Sequence, residues 1–63
     1  MDPIDKAIKF AKDFINNHPI VTEQVEDYLD LMLENIAEGD SPQNELDLFI
    51  NACNQLLEDE CND

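Results

Sequence analysis

The side chains in this sequence best spaced to do chemistry are six carboxylates: Glu23, Glu26, Asp27, Asp30, Glu34 and Glu38. They recur at three- and four-residue steps, which is the spacing of one helix face. No lysine or arginine stands among them. A regular row of negative charge on a rigid rod can occupy a Lys/Arg-lined groove that otherwise holds phosphates. The row also has a cost. Glu23–Asp27, Glu26–Asp30, Asp30–Glu34 and Glu34–Glu38 are like-charge pairs at i, i+4, and together they lose about 1–2 kcal/mol. That is appreciable for so small a chain, so the row is expected to be kept for use. Charge alone discriminates poorly between partners, and an apolar anchor is expected beside it. Leu31, bordered by Asp27 and Glu34, and Leu48 both fall on the outer faces of their helices and are the candidates.

The remaining reactive groups give no catalytic constellation. The chain has one serine, one histidine, one tyrosine and no arginine. Ser41 before Pro42 reads as a helix cap, and His18 before Pro19 as a loop residue. Cys53 lies on an apolar stripe, where a thiol is inert packing. Cys61 has acidic neighbours that hold its thiol protonated. On one helix the two cysteines would stand about 12 Å apart along the axis, too far to bridge, so two reduced thiols are expected. No calcium-loop pattern and no zinc-ligand spacing occurs. No enzyme activity, metal or cofactor is expected.

Gly39-Asp40-Ser41, followed by Glu45 and Leu46, resembles the attachment segment of acyl carrier proteins. By that resemblance Ser41 would carry a phosphopantetheine. The match spans about seven residues, and Pro42 departs from it, standing where the family has an apolar residue, usually leucine. The third helix is also expected to end the chain, without the family's later helices. A cap followed by proline accounts for Ser41-Pro42 on its own.

Three amphipathic helices must position these groups. The first, about 3–17, opens on Asp2-Pro3 and carries an apolar stripe of Ile4, Ala7, Ile8, Ala11, Phe14 and Ile15, widened by Phe10. Asn16-Asn17-His18-Pro19 ends it. The second, about 23–38, is expected to use Thr22 as N-cap, with Val21 as a hydrophobic staple. Its inward stripe is Val25, Tyr28, Leu29, Met32 and Ile36, flanked by Leu33, and Gly39 is placed to end it. The third, about 42–59, starts at Ser41-Pro42 and repeats Leu46, Phe49, Ile50, Cys53, Leu56 and Leu57. Its outer side is mostly amide. Residues 58–63 place acids at a helix C-terminus and are expected to fray. The expected fold is all-α, a small three-helix bundle forming a single domain over residues 1–63, with a dimerising helical hairpin as the alternative.

Size and charge bound the function. A chain of 63 residues has room for one small domain, marginally stable and too small for an enclosed active site. Its hydrophobic content of 43% is near the globular norm. The formal charge is −13, beyond the magnitude of roughly 2–8 that solubility needs in a small domain. Residues 1–20 balance three acids against Lys6, Lys9 and Lys12, and the other thirteen of the sixteen acids follow without a base. Such a balance excludes phosphate-mediated binding to nucleic acid and disfavours anionic membranes. No span or signal segment is present, so a cytoplasmic protein is expected (host cytosol if phage-encoded).

The expected partner is therefore a basic protein of the nucleic-acid-binding kind, met by the carboxylate face of helix two and inhibited by it. In size, charge and helicity the chain resembles host-directed inhibitors of phages and mobile elements, among them DNA mimics and some anti-CRISPRs. The alternative is a small regulatory or assembly subunit, monomer or homodimer, that docks through the apolar face of helix one. Phe10 and Phe14, with Leu48, would then be the contact surface, and acidity would serve solubility.

Overall fold

Asp2 starts the first helix. Its Oδ1 accepts a hydrogen bond from the Ile4 N–H at 2.9 Å, and Pro3 takes the first helical position, so α1 runs Pro3–Asn17. The computed structural model describes the backbone of residues 2–61 and the side chains of residues 2–58. Two further helices follow, α2 (Thr22–Ala37) and α3 (Pro42–Cys61). The fold is an all-α three-helix bundle in which every helix packs on the other two. There is no strand among the described residues.

The α1–α2 junction differs from the expected cap. The His18 N–H closes α1 on the Phe14 carbonyl at 2.8 Å, and Pro19–Val21 form one turn of 3-10 helix that runs directly into α2. Thr22 consequently has helical dihedrals and is the first residue of α2 instead of its N-cap. Its hydroxyl points backward and donates to the Pro19 carbonyl at 2.7 Å. The capping position falls to Val21, which makes no side-chain cap bond. Val21 is nonetheless buried in the same core cluster as Val25, while Ile20, which now precedes the cap, is 77% exposed and forms no staple.

At the other end of α2 the chain turns on Gly39, whose φ is +116°. The Gly39 N–H donates to the Ile36 carbonyl at 3.0 Å and the Asp40 N–H to the Asn35 carbonyl at 3.1 Å. These two bonds make a Schellman motif, which satisfies the last carbonyls of the helix and ends it at Ala37, one residue before the expected 38. A Cβ at Gly39 would meet nothing within 4 Å, so only the backbone conformation calls for glycine here. α3 continues to Cys61, past the expected end near 59. Part of the expected frayed tail is thus helical; its residues 62 and 63 lie outside the described residues, as do the side chains of 59–61.

The core joins Ala7, Ala11 and Phe14 of α1, Val21, Val25 and Met32, and Leu46, Phe49 and Cys53 of α3. Alanine at 7 and 11 removes bulk where α1 faces the other helices, and Phe14 fills the end. Phe10 packs 5.6 Å from Phe14 and edge-on to Phe49 at 5.9 Å, both within the range of favourable aromatic pairs. This corrects the idea of an aromatic docking face on helix one. Phe14 is buried and Phe10 is half-buried against α3, because the bundle needs both rings to close its small core.

Candidate functional site

All six carboxylates reach solvent, five on α2 and Glu38 at its C-cap. At 1.5 Å per residue, Glu23 to Glu38 spans about 22 Å. At 100° per residue the six fall within an arc of about 120°. The three lysines of the chain are all on α1, and each is exposed. The single-sign row is therefore a property of one surface, opposite the buried Val25 and Met32.

Leu31 stands at the edge of that arc, on the side facing α3, and is 55% exposed. Leu48 of α3 has the same exposure of 55%. The two leucines are not isolated surface residues. Both line one open groove between α2 and α3, with a volume of about 270 Å³. Tyr28, Leu31, Met32 and Asn35 line it from α2, and Glu45, Leu48, Phe49 and Ala52 from α3. Leu31 belongs to the groove and to the border of the acidic row at once.

The groove holds one buried charged side chain. Glu45 is only 7% exposed although it carries a carboxylate. Asn35 Nδ2 donates to Glu45 Oε1 at 3.0 Å across the two helices. Glu45 also lies in the first turn of α3, where the helix dipole and the free amides favour negative charge. A hydrogen bond and a helix N-terminus together make burial of this carboxylate tolerable.

Leu31 and Leu48 are each legible in the sequence as outer-face candidates, but their sharing of one groove is not, and nothing in the spacing pairs Asn35 with Glu45. A signal for Glu45 was available. Counted along a helix, Glu45, Phe49, Ala52 and Leu56 share one face, so a charge was set into an apolar arc. Cys53 is fully buried, and burial pushes its thiol up to about 11, the state of an unreactive packing residue. Ser41 is exposed, and its carbonyl accepts the Glu45 N–H at 3.0 Å, the first bond of α3. His18 is half-buried, its ring 5.1 Å from that of Phe14. No group of three metal-ligating side chains gathers among the described residues. Among them, too, no helix is long and apolar enough to cross a membrane.

No family model, curated protein or solved structure matches this chain.

Proposed function

We propose that the protein is a non-enzymatic binder of a basic protein, engaging it through the carboxylate face of α2. Glu23, Glu26, Asp27, Asp30, Glu34 and Glu38 provide the charge and Leu31 the adjoining apolar contact. The observation that carries this reading is the separation of charge. All six carboxylates are exposed along α2 and its C-cap, and every lysine lies on α1. A field of one sign accelerates encounter with a partner of the opposite sign and repels nucleic acid and anionic lipid. Proteins with Lys/Arg clefts for phosphate are the partners that such a row fits, and occupying the cleft would inhibit them. The setting that goes with this reading is the cytoplasm, where an unpaired thiol such as Cys53 persists.

The test is capture of the partner on the immobilised protein, followed by a salt series. Binding should weaken steeply between low and physiological salt, and the Asp27→Lys, Asp30→Lys, Glu34→Lys triple variant should lose it. Affinity indifferent to both salt and charge reversal would refute the proposal.

A further inference from the structure

The groove between α2 and α3 is the strongest feature that the carboxylate row does not explain. At about 270 Å³ it falls just short of the roughly 300–1,000 Å³ typical of pockets for whole small molecules. Its size fits a single inserted side chain. Its lining is apolar apart from Asn35 and Glu45 and the hydroxyl of Tyr28. Two half-exposed leucines face each other across an opening that stays uncovered, although neighbouring Met32 and Phe49 are buried.

Charge selects among the possible occupants. Leu31, on the α2 lip of the groove, is flanked on its solvent side by the exposed Asp27 and Glu34 of the row, and the lining itself includes Glu45. Among the described residues Glu45 accepts one side-chain hydrogen bond, from Asn35 to Oε1, and none at Oε2. A second copy of this chain would bring the same carboxylates against themselves across a two-fold axis, with −13 on each side. An acidic or neutral segment would gain nothing from the lip. A basic segment with one apolar side chain would satisfy both lip and lining.

We infer that the α2–α3 groove is an anchor site for one apolar side chain of a basic protein segment, inserted between Leu31 and Leu48 with its flanking cation toward Glu45. The inference rests on the reading of α2 as a surface for basic partners and adds what that surface grips. The carboxylate row brings the partner in, and the groove selects a segment with leucine or a similar residue between its lysines.

Tyr28 supplies a direct readout. It is the chain's one tyrosine, no tryptophan is present, and it lines the groove, so its emission reports occupancy. The experiment titrates the full chain with two synthetic lysine peptides of equal length and charge, one with a central leucine and one with a central serine. The leucine peptide should bind about tenfold tighter, as burying most of a leucine side chain would give, and should alter Tyr28 emission. Leu48→Ser should erase that advantage while leaving helicity and the binding of the serine peptide intact, and Leu31→Ser should erase it as well. Glu45→Gln should weaken the leucine peptide more than the serine peptide.

Equal affinity for the two peptides overturns the anchor and leaves the acidic-face reading standing. Failure of both peptides to bind at low salt overturns that reading and the anchor together. A leucine advantage that survives both leucine variants places the apolar contact elsewhere and overturns the groove. A concentration-dependent dimer in sedimentation, broken by Leu48→Ser, makes a second copy the occupant and overturns it as well.

Discussion

Asn35 and Glu45 tie the end of α2 to the start of α3: the amide donates to the carboxylate at 3.0 Å, ten residues away along the chain. The same asparagine gives its backbone carbonyl to the Asp40 N–H in the turn between them. One residue therefore ends a helix and holds the next one in register. The bond also gives a nine-tenths-buried carboxylate its side-chain partner.

Removing only one member of this pair should cost more than removing both. Asn35→Leu leaves Glu45 buried without its donor and should destabilise by about 1–3 kcal/mol. The double variant Asn35→Leu, Glu45→Leu replaces both polar groups and should recover most of that loss. Urea unfolding of the three proteins measures the difference. A double variant no more stable than Asn35→Leu would show that Glu45 does not depend on this bond.

The carboxylate row should be a burden on stability. Asp30 has like charges four residues away on both sides, Glu26 and Glu34. Asp30→Lys turns both pairs attractive, so the variant should gain on the order of 1 kcal/mol at low ionic strength. The gain should shrink as salt is added, because these charges are exposed and screened. Thermal unfolding at two salt concentrations reads it, and no gain at low salt would mean that the row carries no such cost.

Phe14 and Leu31 should respond in opposite ways to truncation. Phe14 is buried at the junction of α1 with the core, and Phe14→Ala should cost about 3–5 kcal/mol, enough to unfold a domain of this size. Leu31 is exposed, and Leu31→Ser should stay within about 0.5 kcal/mol of the parent while impairing partner binding. Circular dichroism separates the two outcomes. A folded Phe14→Ala variant that lost only partner binding would restore the aromatic face of α1 as a docking surface.

Cys53 should make stability depend on alkaline pH. Its thiol is pushed by burial from an ordinary 9.0 to about 11 in the folded chain. The unfolded state ionises first as pH rises, so this contribution is complete below pH 9 and is lost between 9 and 11. Two pH units of difference correspond to about 2–3 kcal/mol. Cys53→Ala should remove that slope, seen as the difference between the two proteins unfolded at pH 8 and pH 11. Parallel pH profiles for parent and variant would mean that the thiol gains water or ionises freely when folded.

Much of the bundle could be read from local pattern. Asp2-Pro3, Gly39 and Ser41-Pro42 mark helix ends because caps and prolines act within one turn of chain. The stripes from Ile4 to Ile15, Val25 to Ile36 and Leu46 to Leu57 face inward because a helix repeats every 3.6 residues whatever lies beside it. Thr22 departs from the expected cap for an equally local reason. A 3-10 turn that continues into a helix shifts its start by a residue, and the hydroxyl then finds the carbonyl behind it.

Three helices, their inward faces and one unrelieved row of charge are legible in the chain, since each depends on neighbours within a few residues. The closing of the core by Phe10 and Phe14, the groove shared by Leu31 and Leu48, and the burial of Glu45 beside Asn35 come from helix packing. Those relations depend on how far α3 slides along α2. The Schellman turn at Gly39 and the fit of Met32 and Phe49 into one small core set that register, and spacing within a single helix does not encode it.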